Sequence, residues 1–462
     1  MLNPLATSLD IKGDVITPAH SDYDSSIARW AKNAERKAQV VAFVKDTEDI
    51  AKSLAHAKAN DLLIAIRGGG HNSAGASSAE DGIVIDLSRY LNHVHVDEEN
   101  RVAYVGGGAL WRDVDAEVMK YGLATVGGTI NHAGWLSGKH GLTIDNLKQV
   151  TIVTADGSIL VASEDENPDL FWAIRGGGSN FGIVSEFVLA LNPQRKAVFA
   201  GPIIFTLDKF EQLVKLTKAW YQTISENEGM FHVTVVGPKG EPVIAAILFY
   251  DGSEEEGRNN FKDFLELGPV ADHAKEIPYE QLNTLSNESL KHGYCYYLRG
   301  FSHKPTDYQS VVLMVDKMTR IHQEGVFTPT VMFEYFPLAK VNSVPIATTA
   351  FRRQLTPSIL TVLRWDAAYP EKAAEAKILS AGLEGAFLRA QDGLNNSDKL
   401  GYTNYGHDVE IPAGHLAHPS LVHVATRSQL AFGPNYARLQ SLKEKYDPEC
   451  IFNRWYPISP AS

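Results

Sequence analysis

The chemistry of this 462-residue chain is most concentrated where a histidine follows three glycines, in Arg67-Gly68-Gly69-Gly70-His71-Asn72. A neutral imidazole is both a nucleophile and a proton carrier. Glycines ahead of it let the backbone press against a flat or anionic ligand, because no Cβ stands in the way. Two further clusters, Gly106-Gly107-Gly108 and Gly176-Gly177-Gly178 with Gly182, repeat the texture. Any one cluster alone reads as a tight turn, and an isolated His71 reads as a loop histidine making one hydrogen bond. Three clusters beside strand-like runs favour a glycine-lined cradle, whose backbone N–H groups can approach a pyrophosphate.

Other chemistries are poorly provided for. A nicotinamide-binding Rossmann unit needs a strand, then G-x-G-x-x-G, then a helix. Here the third cluster follows Pro168-Asp-Leu-Phe-Trp-Ala-Ile174, which reads as a helix, and precedes a strand-like stretch at 183–189. The order is reversed. His71, His132 and His140 lack the His-x3-His spacing and neighbouring carboxylates of a metal site, so no metal is expected. No Gly-x-Ser-x-Gly elbow follows a strand. Glu254-Glu255-Glu256 reads as a solvated helix start, not an acid pair. Cys295 and Cys450 are the only cysteines, too few for a disulfide framework or a thiolate cage.

The elements that must position these groups fall into two textures. From about residue 29 to 191 the chain is glycine-rich with short strands. Residues 40–44 read as a strand, Asp46 as an N-cap, and Ile50, Leu54 and Ala57 as one helix face. Strands are predicted at 62–66, 83–87 and 102–105, and a hairpin at 150–161 turning on Asp156-Gly157. After Pro193 come a strand beginning at 203–205, a helix over 209–223, strands at 231–236 and 242–250, and a long helix over 371–391. Hairpins with long helices between them predict an antiparallel sheet with helices on one face. The composition, 44% apolar and 21% charged, is that of a globular protein. A net charge of -12 argues against nucleic acid and anionic membrane as partners. The start MLNPLATSLDIKGD has neither a basic nor an apolar stretch, so a cytoplasmic location is expected.

Together these motifs resemble the PCMH-type FAD-linked oxidases, relatives of berberine bridge enzyme, 6-hydroxynicotine oxidase and the carbohydrate oxidases. The match runs through residues 67–72, Ala155-Asp-Gly157, and Asn167-Pro-Asp-Leu-Phe-Trp-Ala-Ile-Arg-Gly-Gly-Gly-Ser-Asn-Phe-Gly182. It continues through Val344-Pro345 with residues 347–351, Tyr402-Thr-Asn404-Tyr405, Gly433-Pro-Asn-Tyr436 and Lys445-Tyr-Asp-Pro448. The ending Phe452-Asn-Arg-Trp-Tyr-Pro-Ile458 looks like fungal members of the family. The resemblance implies an α+β, two-domain PCMH-type FAD-binding fold of two small α/β subdomains, with an inserted antiparallel-sheet substrate domain covered by helices. The implied limits are 30–197 for the FAD-binding domain, 198–400 for the substrate domain, and 401–462 for a C-terminal segment returning to the first.

The resemblance further implies FAD bound covalently through His71. It places the remaining cofactor contacts at Arg67, Gly68, Gly69, Gly70, Asn72, Gly75, Gly128, Thr129, Gly134, Gly141, Asp145, Asn146, Gly182, Ile183, Val184 and Asn404, and puts Tyr402 and Tyr405 forward as catalytic bases. A phenol needs a neighbouring charge to lower its pKa for that role. The implied reaction takes hydride from a C–H beside OH or NH of a small organic molecule, in secondary-metabolite tailoring, with O2 as reoxidant. Carbohydrate oxidation is the alternative. Two departures stand out. The stretch Gly127-Gly-Thr-Ile-Asn-His132 holds no cysteine, so no second, cysteinyl flavin link is expected. The chain also lacks a glycine-rich stretch between Ala133-Gly134 and Trp135-Leu136, which keeps a catalytically impaired flavin-binding protein as a further alternative.

Overall fold

Short apolar runs buried on both faces become parallel strands, and amphipathic ones become helices over them. The computed structural model describes residues 9–128, 134–237, 240–285, 287, 290–304, 308–353, 355–389, 391, 394, 400–406 and 421–461. Val40–Phe43, Ile83–Asp86 and Ile64–Arg67 lie parallel in that spatial order, with Asp14–Ile16 added antiparallel at the edge. Thr47–Ala59 crosses between the first two parallel strands in sequence, and Asp46 caps it by accepting from the Asp49 N–H. Its Ile50, Leu54 and Ala57 are buried against the sheet.

A second, five-stranded sheet is antiparallel, in the order Val94–Asp97, Val102–Gly106, Ile183–Ala190, Leu147–Val153 and Ile159–Ser163. The last two form the hairpin, with Asp156 in its turn accepting from the Thr154 hydroxyl and the Ser158 N–H. Pro168–Gly177 is helical and leads into Ile183–Ala190, the reverse of a dinucleotide-binding order. Tyr436–Tyr446 returns to this sheet's core: Leu439 and Leu442 share it with Leu170 and Phe171.

The third sheet has eight strands, with Glu228–Val236, Thr328–Tyr335 and Ser358–Asp366 at its centre and Tyr294–Ser302 at one edge. Ala197–Thr206 is longer than the predicted strand, which started only after Gly201-Pro202. Along that side Lys275–Pro278 pairs with residues 197–200 and Ala271–Asp272 with Ile203 and Ile204. Pro202 thus falls in the gap between two partners, where its missing N–H is not needed. Helices Phe210–Tyr221, Tyr308–Gln323 and Ala373–Leu388 cover one face through Phe210, Leu213, Met314, Met318, Leu383 and Phe387. The other face carries Phe231, Tyr296, Met332 and Leu360, which pack with Trp30, Val126 and Trp135 of the first half. Among the described residues no helix is long and apolar enough to cross a membrane.

Under the covering helices His232 and His303 are buried against the Tyr335 ring, 5.1 and 5.7 Å from it. Burial pulls their pKa values down, to about 3 and about 4 respectively. A neutral folded-state histidine contributes stability that is present above the unfolded value, about 6.5, and lost as pH falls toward the folded one. Urea midpoints should therefore drop between pH 7 and pH 5. His303→Asn should flatten that slope, and an unchanged slope would remove these histidines from the acid response.

Candidate active site

The three glycine clusters meet at one place. Gly68 leaves the strand Ile64–Arg67, Gly107 leaves Val102–Gly106, and Gly182 enters Ile183–Ala190. A Cβ on Gly68 would lie 2.8 Å from the Gly107 carbonyl oxygen, and one on Gly107 would lie 2.3 Å from that of Val184. Only glycine permits the two smaller sheets to approach this closely at their ends. Between them opens a cavity of about 440 Å³, walled by Gly68, Gly107, Gly178, Gly182, Ile183 and Val184, with Ile66, Trp111, Ile144 and Phe187. Mostly apolar walls with exposed backbone are those of a cofactor pocket. Gly176 has another role: it packs on the Phe351 backbone.

Beyond Gly68 the chain bends through Gly70, whose φ of +69° favours glycine, and delivers His71. The Asn72 side chain accepts from the Ala74 and Ala76 N–H groups, fixing the turn that contains Gly75. Arg67 pairs with the buried Asp86 at 2.9 Å. The Arg29 and Arg454 guanidiniums donate to the carbonyls of Ser77 and Ser78. Around this turn the Ser77 and Ser78 hydroxyls and the Nε atoms of Arg67 and Arg454 are buried without a hydrogen-bond partner among the described residues. Unused donors beside several guanidiniums suit an anion such as a diphosphate, so this part of the chain fits the FAD implied by its sequence.

The other sequence-predicted residues divide. Gly134 sits against Gly127, whose carbonyl oxygen would be 1.8 Å from a Cβ there, so the chain closes on itself beside the half-buried Gly128. Thr129 and His132 lie outside the described residues. Asp145 receives two bonds from Arg353, at 3.0 and 2.6 Å, and one from the Leu142 N–H. Asn146 donates to the His140 and Leu142 carbonyls. Asp145 and Asn146 thus brace the turn after Gly141, which presents Thr143 and Ile144 to the cavity. Gly69 is exposed against Leu110.

His71 is exposed, yet the protein packed around it partly desolvates the ring, and this, helped by nearby His292, lowers its pKa. Its ring stacks on Trp30 at 4.3 Å, and Trp30 on Tyr296 at 4.2 Å. Tyr296 belongs to the edge strand of the large sheet, on the face turned to the first half. Four residues along, on the same face and about 14 Å away at a rise of ~3.4 Å per residue, Gly300 leaves room for Tyr405.

Tyr405 is buried and donates to Glu334 Oε1 at 2.6 Å; Tyr402 meets it edge-on and accepts from Asn404. Burial and the Glu334 carboxyl raise both phenols, the opposite of what a phenolate base requires. Glu334 itself is 2% exposed, and burial pushes its carboxyl up to about 8, with the Tyr405 hydrogen bond working against the rise. The sequence reading missed Glu334. A signal was present: one acid inside Val331-Met-Phe-Glu-Tyr-Phe336, a run with no polar face to carry it outward.

Comparison with known proteins shows the family and the fold. The profile of the FAD binding domain family matches residues 38–163, and that of the berberine and berberine-like family matches 401–458. FAD-linked oxidoreductase pgmH of Aspergillus terreus is 30% identical over 98% of this chain and 94% of its own. (R)-6-hydroxynicotine oxidase of Paenarthrobacter nicotinovorans is 29% identical over 100% and 99%. The crystal structure of 6-hydroxy-D-nicotine oxidase from Arthrobacter nicotinovorans superposes with a TM-score of 0.85 over 100% of both chains at 25% identity. A variant of berberine bridge enzyme in complex with (S)-reticuline gives a TM-score of 0.83 over 99% and 98% at 20% identity, which shows the shared fold.

Proposed function

Since the chain belongs to the FAD-linked oxidoreductases of the berberine bridge and 6-hydroxynicotine oxidase type, we propose that it oxidises a C–H bond beside OH or NH of a small organic molecule, with FAD attached through His71 and dioxygen as final acceptor. The observation that carries this reading is the shared face. His71, through its stack on Trp30, and the Glu334–Tyr405 pair both reach the face of the large sheet that carries Tyr296 and Met332. Residues 30–197 with the tail from 401 would hold the cofactor, and 198–400 the substrate.

FAD supplies the two-electron acceptor when bound. Gly68, Gly107, Gly182 and the arginine-ringed turn at 70–78 would hold it. A neutral His71, favoured by its lowered pKa, is the form able to make the covalent link. Glu334 takes the O–H or N–H proton as the C–H bond breaks, and Tyr405 holds its carboxylate by a donated hydrogen bond. Trp135, Phe231 and Phe336 pack on one another in the same apolar cluster as Tyr405, which keeps water from the carboxyl.

Intact mass measurement should find one FAD per wild-type chain after acid precipitation and none on His71→Ala, which should still bind FAD reversibly. A colourless wild-type precipitate without added mass would refute the covalent reading. Peroxide release across hydroxylated heteroaromatic amines, alcohols and oligosaccharides then identifies the substrate class, the sugars being included because chitooligosaccharide oxidase shares the fold.

A further inference from the structure

We propose that Trp30 is a positioning residue for covalent attachment at His71: its indole face sets the plane of the imidazole and ties that plane to the edge strand of the large sheet. The proposal rests on the reading of His71 as the attachment point. The His71 and Trp30 rings are 10° from parallel, so contact is through their faces. The reactive lone pair of an imidazole nitrogen lies in the plane of its ring. A face-on stack therefore holds the ring without occupying the atom that must react, which a hydrogen-bond partner at that nitrogen would do.

Trp30 is itself immobilised. It is 2% exposed, its second face lies 16° from parallel to Tyr296, and its indole N–H donates to the Leu290 carbonyl at 2.8 Å. Tyr296 is held in turn: its hydroxyl donates to the Lys291 carbonyl at 2.6 Å, and Asn33 brackets its backbone N–H and carbonyl at 2.8 and 3.0 Å. The loop carrying His292, which faces His71 closely enough to lower its pKa, is thus pinned at the two preceding carbonyls. His71 follows a bend of three glycines that gives it little backbone restraint of its own. Apart from a hydrogen bond between the ring and its own backbone, its orientation comes from the rings behind it.

Attachment forms a bond from an imidazole nitrogen to the flavin 8α carbon in place of one C–H bond. The imidazole N–H proton and the carbon-bound proton go to water. The two electrons left on the ring system pass to dioxygen, giving peroxide. A misplaced nucleophile slows such a step by about a hundredfold per ångström.

The test compares the rate at which newly added FAD becomes acid-stable, read by in-gel flavin fluorescence and intact mass, in wild type, Trp30→Phe and Trp30→Leu. Phe keeps a flat face but not the indole N–H; Leu keeps bulk but no face. Trp30→Leu should attach about a hundredfold more slowly and Trp30→Phe within severalfold of wild type. Reversible FAD affinity in the His71→Ala background should be the same with either substitution. Wild-type rates in Trp30→Leu, or equal slowing in both variants, would overturn the role of the indole face. Should Trp30→Leu not fold, Tyr296→Leu removes the ring behind Trp30 together with the hydroxyl's bond to the Lys291 carbonyl; it should slow attachment severalfold, and a wild-type rate there would be equally fatal. A wild-type chain that never acquires flavin would sink the covalent reading as well, which separates the two failures.

Discussion

Glu334→Gln is expected to slow reduction of the bound flavin by about a hundredfold to ten-thousandfold while leaving the flavin attached. Gln keeps the shape of the side chain and an oxygen to accept from Tyr405, and loses only the capacity to take a proton. The wild-type rate should rise about tenfold per pH unit below the carboxyl's pKa of about 8 and level off above it, because the ionised form is the active one. The variant should show no such limb. Tyr405→Phe should move the wild-type limb to higher pH, since the Tyr405 hydrogen bond is what restrains the rise in the Glu334 pKa. Stability separates this from a folding defect. A carboxyl near 4.5 unfolded and about 8 folded binds more protons in the folded chain, so ionising it between those values destabilises the native state. Glu334→Gln removes that loss and should be at least as stable as wild type at pH 8. Anaerobic bleaching at the wild-type rate in the variant would eliminate Glu334 as the base.

What the sequence disclosed follows from how narrowly physics restricts residue type. A close approach such as Gly68 over the Gly107 carbonyl admits one residue, so the cradle can be read from composition alone. The Asp46 cap and the Asp156-Gly157 turn are similarly local. Long-range partners were not legible. Trp30 and Tyr296 stack across 266 positions of chain, and Arg353 reaches Asp145 from 208 positions away. The direction of the phenol shifts was hidden for the same reason: Tyr405 is a candidate base or a hydrogen-bond donor according to whether its neighbour is a cation or Glu334, 71 positions upstream. Helix ends were read too generously, 209–223 against the observed Phe210–Tyr221, because nothing local caps either end with a side chain.

The second large effect is structural: Lys443→Met should destabilise the chain by about 3–5 kcal/mol. Lys443, in the last turn of the C-terminal helix, and Asp447, the residue that ends it, are both 0% exposed. All three ammonium protons are used, on Asp447 Oδ2 at 2.6 Å, the Asn180 carbonyl at 2.7 Å and the Phe452 carbonyl at 2.8 Å. The Asp447 carboxylate also takes the N–H groups of Ile451 and Phe452. Removing the cation alone would leave a buried anion and two carbonyls unpaired, which costs more than the pair itself contributes. Asp447→Asn added to Lys443→Met should recover part of the loss by neutralising the stranded charge while keeping an oxygen for one of the two N–H groups. The pair bears on function because of what it joins: Asn180 lies beside Gly178 and Gly182 of the cavity wall, and the tail it anchors carries Arg454 to the turn after His71. Flavin binding should therefore offset much of the deficit, since a ligand at about a hundred times its Kd stabilises by about 2.7 kcal/mol. Urea titrations with and without FAD, on the His71→Ala background so that binding stays reversible, measure both quantities. A loss below about 1 kcal/mol, the range of an exposed ion pair, would mean that Leu439, Tyr456 and Ile458 hold the tail through their apolar contacts alone.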